Sequence, residues 1–388
     1  MSELANEPGT TGESARAYRS PVRDLQQAVT SLDGWPEDGV AVHYGDPFAE
    51  QRAAARGVAV VDRTNRELIA VTGEERLSWL HLVISQHVTE LADGAGTEAL
   101  VLDGHGRLDA HLVLAHTDGT VWLDTDPGAT ATGARGGTQS LLAYLESMVF
   151  WSKVELRDAT EERGVLTLVG PGTAQLLAAV ELPAPAGDYA VATAKDVIVR
   201  SMPWPGVAAA DLLIPRDSLA DWWSRLRDGG ARLTGTMAFE ALRVESARPR
   251  LGVDTDEKTI PHEVGWIGVA AHVAKGCYRG QETVAKVHNV GRPPRRMLLL
   301  HLDGSRNIRP ETGDPVLLGE RTVGRVGSVA LHHELGPIAL ALVKSSVPLD
   351  AELIAGVDDR AVQAAIDPDA VPAATPGLGR EAAKRLRG

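Results

Sequence analysis

Two segments of this 388-residue chain repeat the same order of a short apolar strand, a glycine and an amphipathic helix. The first reads "LIAVTGEERLSWL" around Gly73, and the second reads "VLTLVGPGTAQLL" around Gly170. The apolar runs have the length of strands, and apolar residues recur at helical spacing in "EERLSWLHLVISQHV". A glycine at such a turn permits a positive φ or close packing of strand and helix. The repeat predicts an α+β fold with an internally duplicated unit.

The pattern changes after the segment "GRPPRR" at residues 291–296. The segments "MLLLHLDG", "DPVLLGERTVGRVGSVALH" and "PIALALV" are short apolar runs separated by Gly, Pro and Asp. This spacing, with hardly any helical periodicity, is typical of a small β-barrel. The sequence therefore predicts a disordered tail over 1–20, an α+β region over 21–292, a C-terminal small β-barrel over 293–367 and a flexible tail over 368–388.

Composition excludes several classes of protein. The net charge of −13 argues against nonspecific adhesion to nucleic acid or to an anionic membrane. A single cysteine excludes an internal disulfide and an all-cysteine metal site within one chain. No secretory signal precedes the first strands, and the apolar runs fall short of the ~20 residues that a membrane-spanning helix needs. We expect a cytoplasmic protein without membrane contact.

The one cysteine, Cys277, lies in the segment "KGCYRGQETV". The flanking glycines give access to the thiol, and Lys275, Arg279 and the start of the helix predicted at "QETVAKVHN" favour a reactive thiolate. The alternative is a buried and inert thiol, which is common for free cysteine.

The same segment reverses the charge of the chain. Between residues 275 and 296, six basic side chains stand against one acidic side chain, Glu282. The basic residues are Lys275, Arg279, Lys286, Arg292, Arg295 and Arg296. They suit an anionic ligand, such as a polyglutamate tail or a phosphate backbone, or they form a solvated basic face.

Two carboxylates are further candidates for ligand contacts. Asp109 lies at the mouth of the second strand of a hairpin predicted in "LDGHGRLDAHLVL", where it can accept a hydrogen bond from a protonated ligand nitrogen. Glu245 lies in "FEALRVESARPRLGVD" and, if it faces a pocket, can accept hydrogen bonds from an amino group and a ring N–H of a heterocycle. The alternatives are a plain hairpin for Asp109 and a solvated helix face for Glu245.

The motif "KGCYRGQE" resembles the signature of the YgfZ family of folate-binding proteins, which are relatives of the glycine-cleavage T-protein, an aminomethyltransferase. The segments "VVDRTNRELIAVTG", "ALVLDGHGRLDAHL", "FEALRVESARPRLGVD" and "TIPHEVG" follow in the order that this family shows. The resemblance implies ferredoxin-like α+β units of the aminomethyltransferase folate-binding fold, GcvT-like, over 21–292, with the β-barrel after them.

The resemblance also implies the ligand and the site residues. The ligand is tetrahydrofolate or another folate derivative, and the implied folate contacts are Asp109, Arg243, Glu245 and Lys275. Cys277 is the implied reactive thiol, and its supporting residues are Lys275, Tyr278, Gly280, Gln281 and Glu282. No resident metal is implied, and Cys277 makes at most a transient contact with an iron–sulfur cluster.

The function that the resemblance implies is that of an accessory protein in iron–sulfur cluster assembly or repair, with an indirect effect on tRNA modification. Its partners are then iron–sulfur enzymes or assembly proteins. The T-protein has two adjacent aspartates where this chain reads Asp109-Ala110, and the missing carboxylate favours a folate binder over an enzyme. Two alternatives stay open: a folate-dependent aminomethyl or other one-carbon transferase, and a tRNA-binding module.

Overall fold

The computed structural model describes residues 18–25, 27–30, 39–134, 136–206 and 208–370. The predicted tails over 1–20 and 368–388 lie outside these residues except for 18–20 and 368–370. The described helices are α1 (Pro47–Arg56), α2 (Arg76–Val83), α3 (Leu141–Ser147), α4 (Thr173–Ala179), α5 (Leu219–Asp228), α6 (Thr236–Glu245) and α7 (Gln281–Val290).

The described strands form three larger sheets and one two-stranded ribbon. They are β1 (Ala59–Asp62), β2 (Glu67–Thr72), β3 (Ala95–Leu102), β4 (Leu108–Thr117), β5 (Thr120–Thr125), β6 (Thr130–Thr132), β7 (Thr138–Ser140), β8 (Glu155–Asp158), β9 (Arg163–Val169), β10 (Val191–Ala194), β11 (Val197–Met202), β12 (Ala209–Pro215), β13 (Arg232–Thr234), β14 (Arg295–Leu302), β15 (Pro315–Leu318), β16 (Arg321–His332), β17 (Gly336–Lys344), β18 (Leu353–Ala355) and β19 (Val362–Ile366).

The first sheet is built from consecutive chain in the order β3-β4-β5-β2-β8, and all its strand pairs are antiparallel. Trp79 and Leu80 of α2 and Tyr144 of α3 pack with its apolar side chains in one buried cluster. Each fully buried large apolar side chain contributes about 1.5–3 kcal/mol of transfer free energy. The cluster therefore fixes α2 and α3 on one face of the sheet.

The second sheet has the order β10-β11-β12-β9-β1-β13. Strand β1 pairs antiparallel with β9 on one side and parallel with β13 on the other. Helices α4 and α5 cover one face through a cluster that includes Leu176, Leu177, Trp222 and Trp223. The first sheet is thus inserted in the chain between β1 and β9 of the second.

The structure has the strand–glycine–helix order at both predicted places, and the duplication itself stays a prediction. Gly73 follows β2 with a φ of +104°, and Gly170 follows β9 with a φ of +130°. A Cβ at Gly73 would lie 2.2 Å from the carbonyl oxygen of Lys153, and one at Gly170 would lie 2.3 Å from that of Gly57. Glycine is required at both turns because backbone approaches backbone there.

Helix α2 is shorter than the predicted segment "EERLSWLHLVISQHV". It ends at Val83, and Ile84 already has an extended backbone with φ −102° and ψ 164°. The Nζ of Lys275 donates to the carbonyls of Ile84 and Gln86. This contact between distant parts of the chain stabilises the end of the helix at Val83 and was not visible in the apolar spacing.

Strands β14 to β19 close into a barrel in the order β14-β17-β16-β15-β18-β19. Its interior is apolar, with Leu298, Leu300, Val316 and Leu353 among the buried side chains. The predicted α+β class and C-terminal β-barrel are confirmed. Helix α6 packs between the second sheet and the barrel, against β1, β16 and β17, and it brings the two α/β sheets and the barrel around one central region.

Candidate functional site

The central region contains a cavity of about 490 Å³ between the two sheets. Ligand-binding pockets for small molecules commonly have about 300–1,000 Å³. The cavity combines aromatic, amide, hydroxyl and charged groups with exposed backbone. Its lining residues are Gln86, Thr97, Asp188, Tyr189, Pro203, Trp204, Gly206, Ser246, Arg248, Gly268 and Val269.

Glu98 lies behind the residues that line this cavity and is hydrogen-bonded to several of them. Its side chain is fully buried and accepts hydrogen bonds from His111 Nε2 at 2.8 Å, from Trp204 Nε1 at 3.1 Å and from the hydroxyl of Tyr189. Arg248 Nη2 donates to both carboxylate oxygens at 2.5 Å. Three of these donors, Tyr189, Trp204 and Arg248, belong to residues that line the cavity. Their hydrogen bonds to Glu98 therefore fix the shape of the cavity.

Burial alone would raise the pKa of Glu98, but the hydrogen bond and charge of His111, the charge of Arg248 and the hydrogen bond from Tyr189 outweigh it. The pKa of Glu98 therefore lies far below its ordinary value. Burial and the charge of Glu98 raise the pKa of Tyr189, which stays a hydrogen-bond donor. Behind the cavity lining there is consequently an ionised carboxylate whose charge is balanced by Arg248.

Aromatic rings surround this carboxylate. His111 stacks on Trp266 with ring centroids 4.8 Å apart and an interplanar angle of 2°. The guanidinium of Arg248 lies 5.1 Å from the ring centre of Trp204, which lies 5.9 Å from Phe239. The Nε1–H of Trp266 is buried and makes no hydrogen bond within the described part of the chain. Trp266 belongs to a buried apolar cluster and is not among the residues that line the cavity.

A charged layer borders the same region on the side of the first sheet. Asp126 accepts from Arg66 Nη1 at 2.5 Å, and 32 % of its side-chain surface is accessible. Burial raises the pKa of Asp126, but the charges of Arg66, Arg250, Arg63 and His111 lower it by more, so the pKa lies below its ordinary value. Asp126 is therefore an ionised carboxylate with a partly accessible face, and it is not among the residues that line the cavity.

Asp109 lies on β4, two residues before His111, and so on the same face of the strand. Its oxygens accept from the backbone N–H of Thr132 at 2.8 Å and from the Thr132 hydroxyl at 2.9 Å. Thr132 belongs to the ribbon formed by β6 and β7, which is the Gly-rich segment of the sequence. The structure directs this carboxylate to the ribbon, and Asp109 is not among the residues that line the cavity.

Arg243 and Glu245 lie at the end of α6 and do not line the cavity either. Arg243 is buried and donates to Glu240 at 2.7 and 2.9 Å and to Asp254 at 3.0 Å. Glu245 is half-exposed and pairs with His332 of the barrel at 3.3 Å. Hydrogen bonding to His332 lowers the pKa of Glu245. Both residues join α6 to its surroundings, and their roles as folate contacts stay predictions.

Lys275, the first residue of the cysteine motif, is buried and donates from Nζ to the carbonyls of His81, of Ile84 at 2.6 Å and of Gln86 at 3.2 Å. Burial lowers its pKa to about 8. Its Nζ also lies 4.8 Å from the ring centre of Tyr278, which is itself buried. Lys275 therefore anchors the motif to the C-terminal end of α2.

The rest of the motif is anchored at two further points. Gly280 has a φ of +80°, and a Cβ there would lie 2.6 Å from the Cα of Gly106 in the β3–β4 turn. Arg279 donates to the carbonyls of Thr132 and Gly133 in the ribbon, while Gln281 donates to the carbonyl of Lys275 at 3.0 Å.

These anchors leave two side chains of the motif facing solvent. Cys277 is exposed, and so is Glu282 in the first turn of α7. Access to the thiol, predicted from the flanking glycines, is confirmed, whereas its reactivity and the supporting roles of its neighbours stay predictions.

The predicted basic face is largely used inside the protein. Arg295 pairs with Asp256 at 2.6 Å and with Glu263 at 2.8 Å, and Arg296 donates to the carbonyl of Val347 at 2.5 Å. With Lys275 and Arg279 also bonded to backbone carbonyls, Lys286 and Arg292 are the members of the set that are exposed.

Within the described residues, no group of three or more His, Cys, Asp or Glu side chains has an arrangement that could hold a metal ion. No described helix is long and apolar enough to cross a membrane.

Sequence reasoning missed the centre of the site, which is Glu98. Its hydrogen-bond partners His111, Tyr189, Trp204 and Arg248 lie 13, 91, 106 and 150 residues further along the chain. One local signal was available, because Glu98 is a lone charge before the buried apolar run "ALVL" of β3.

Comparison with known proteins identifies the family. Residues 42–275, more than half of the chain, match the family model described as the GCVT N-terminal domain. The aminomethyltransferase of Nitrosococcus oceani is 27% identical over 357 residues, which cover 89% of this chain and 91% of that protein. The aminomethyltransferase of Rubrobacter xylanophilus is 26% identical over 359 residues, with coverage of 89% and 91%.

A solved structure shows the same fold. Glycine cleavage system aminomethyltransferase T from Bartonella henselae matches with a TM-score of 0.77 at 19% identity, covering 90% of this chain and 96% of that one. The family match covers residues 42–275, and the structural match covers 90% of the chain. The chain therefore belongs to the family defined by the GCVT N-terminal domain.

Proposed function

We propose that this protein binds a reduced folate in the central cavity and acts as a folate-dependent one-carbon transferase, of which aminomethyl transfer is the leading case. The observation that carries the proposal is the 490 Å³ cavity built over Glu98 in a chain of this family. Relatives named aminomethyltransferases, matched over about nine tenths of the chain, support the transferase over the accessory role.

The cavity has the chemistry that a pterin ring system requires. Trp204 and Tyr189 supply aromatic surface for a flat heterocycle, and such rings prefer offset or edge-to-face packing. The amide of Gln86 and the hydroxyl of Thr97 lie on the same lining and supply polar groups for a ring carbonyl or ring nitrogen. The hydroxyl of Ser246 and the backbone of Gly206 and Val269 offer further polar groups. The lining thus offers aromatic surface together with several polar groups that can orient a heterocycle.

Asp126 is the residue of this chain that we assign to the reacting centre. Its lowered pKa keeps it ionised, so it is a weak base but a permanent negative charge. Such a charge, held in place by Arg66, stabilises positive charge that develops on a ligand nitrogen during transfer of a carbon unit. Asp109 can take the same role only after its two hydrogen bonds with Thr132 have broken.

The test is calorimetric titration of the full chain with tetrahydrofolate without oxygen. We expect micromolar affinity, at least tenfold weaker in Trp204→Ala and unchanged in Trp151→Ala, which removes an equally large but 95 % exposed ring. Formation of methylene-tetrahydrofolate from an aminomethyl donor then tests the transfer. Absence of binding at millimolar ligand rejects the site, whereas binding without turnover rejects the transferase and keeps the binder.

A second candidate, the accessory role in iron–sulfur cluster assembly that the YgfZ resemblance implies, is favoured by one observation. Cys277 is exposed on a motif anchored by Lys275, Arg279 and Gly280. Its test is complementation of a strain lacking this gene, scored by the activity of a cluster-dependent tRNA-modifying enzyme. Loss of complementation by Cys277→Ser, but not by Gly276→Ala, supports this role; equal complementation by both rejects it.

A further inference from the structure

The turn between α3 and β8 displays two adjacent aromatic side chains to solvent. Phe150 is 73 % exposed and Trp151 is 95 % exposed, and their ring centroids lie 6.3 Å apart. Single exposed apolar residues are common on soluble proteins, but neighbouring large aromatics raised on a turn are typical of interaction sites. Neither residue lines the central cavity.

The backbone of this turn is held in a strained conformation. Phe150 has a φ of +48°, a left-handed conformation that is an outlier for a bulky residue and costs roughly 1–3 kcal/mol. The indole N–H of Trp79 donates to the carbonyl of Met148 at 2.9 Å, and the carboxylate of Glu75 accepts from the backbone N–H of Lys153 at 2.6 Å. Because both ends are fixed to α2, the aromatic pair is presented by a preorganised turn, which lowers the entropy cost of binding.

The surroundings of the pair are acidic. Lys153 pairs with Glu74 at 3.3 Å, and the guanidinium of Arg76 turns inward to the carbonyl of Gly73 and the ring of His116. A negatively charged surround repels anionic lipid headgroups and attracts basic side chains. The exposed carboxylates are Glu74, Glu75, Glu146 and Glu155.

We propose that Phe150, Trp151 and these four carboxylates form a docking surface for a second protein, one that presents an apolar pocket bordered by Lys or Arg side chains. The aromatic pair is the anchor, since buried aromatic residues contribute most to protein–protein affinity. The carboxylates select the partner by charge and accelerate its association. The inference does not rest on folate binding, because it concerns a different surface.

The experiment places a photoreactive benzoyl-phenylalanine at position 151 of the full chain in its source cells and maps the crosslinked peptides by mass spectrometry. We expect one partner, crosslinked within an apolar pocket bordered by Lys or Arg. Its purified form should bind the wild-type chain and lose at least tenfold in affinity with Phe150→Ser/Trp151→Ser. Glu155→Lys should weaken binding and reduce its salt dependence.

The matched control is Leu349→Ser, which removes another exposed apolar side chain, 42 % exposed, from the barrel. If Leu349→Ser weakens partner binding as much as Phe150→Ser/Trp151→Ser does, the proposal is overturned. Crosslinks between copies of this chain with a dimer by mass photometry, crosslinks to lipid, or no crosslinked protein at all overturn it as well. Tetrahydrofolate titration of Phe150→Ser/Trp151→Ser, expected to match the wild type, separates this result from the fate of the proposed function.

Discussion

Replacing Glu98 by glutamine removes a buried charge while keeping its size, and we expect this change to destabilise the protein by about 3 kcal/mol. Removing one partner of a buried ion pair typically costs about 3–5 kcal/mol, because the other charge is left without compensation. Glu98 is fully buried, whereas 18 % of the Arg248 side chain remains accessible, so the lower end of the range applies. The amide N–H₂ of glutamine would also face the donors of His111, Tyr189 or Trp204.

A double-mutant cycle separates the ion pair from the loss of packing. Arg248→Met in the Glu98→Gln background removes the stranded cation. The double variant should therefore lose about 2 kcal/mol less stability than the sum of the two single-variant losses. The free energy of unfolding is measured from the urea dependence of tryptophan fluorescence at pH 7. A single-variant loss below about 1 kcal/mol, or additive effects in the cycle, would refute the view that Glu98 fixes the cavity.

The same pair gives a signed pH dependence. The pKa of Glu98 in the folded protein lies below its ordinary value of 4.5, so its ionisation contributes stability that is fully present above pH 4.5. That contribution is lost as the pH falls toward the folded pKa. The stability difference between wild type and Glu98→Gln should therefore be constant from pH 6 to pH 8 and shrink below about pH 4.5.

Three further predictions concern other parts of the centre. Burial lowers the pKa of His262 from 6.5 to about 4, so the free energy of unfolding should fall as the pH drops from 6.5 toward 4. Measured as the urea midpoint against pH, this slope should be flatter in His262→Leu. Gly280→Ala should cost on the order of 2 kcal/mol or more, because its φ is positive and its Cβ has no space, whereas Gly276→Ala, with open space, should change the melting temperature little. Thr132→Val removes one hydrogen bond to Asp109, worth about 1–1.5 kcal/mol, and should speed hydrogen exchange in the β6–β7 ribbon roughly tenfold, as mass spectrometry would measure. Unchanged exchange would contradict the view that Asp109 holds the ribbon in place.

Local patterns predicted the parts of the fold that local chemistry decides. Gly73 and Gly170 mark the two strand-to-helix turns, and Gly280 opens α7 where the motif ends. The barrel followed from short apolar runs between turn residues. In each case the sequence pattern lies within the element that it predicts, although the backbone that crowds Gly73, Gly170 and Gly280 comes from Lys153, Gly57 and Gly106.

The polar residues were harder to interpret because their partners are distant in sequence. Lys275 suited an anionic ligand, but its acceptors at His81, Ile84 and Gln86 lie 194, 191 and 189 residues earlier in the chain. A buried lysine that binds three carbonyls and one that binds a ligand have the same local sequence. Glu98 was overlooked for the same physical reason, since its role depends on donors from three other parts of the fold.

The place of β1 between β9 and β13 decides when the second sheet can be completed during synthesis. The inserted sheet has all its strands once residue 158 has left the ribosome, so it can fold while the host sheet is incomplete. Strand β1, "AVVD" at Ala59–Asp62, must wait for β13 at Arg232–Thr234 before both of its edges are paired. At ~5–20 residues per second, that interval lasts roughly 10 to 30 s. During that time the β13 edge of this apolar strand stays unpaired on the nascent chain and is open to incorrect strand pairing.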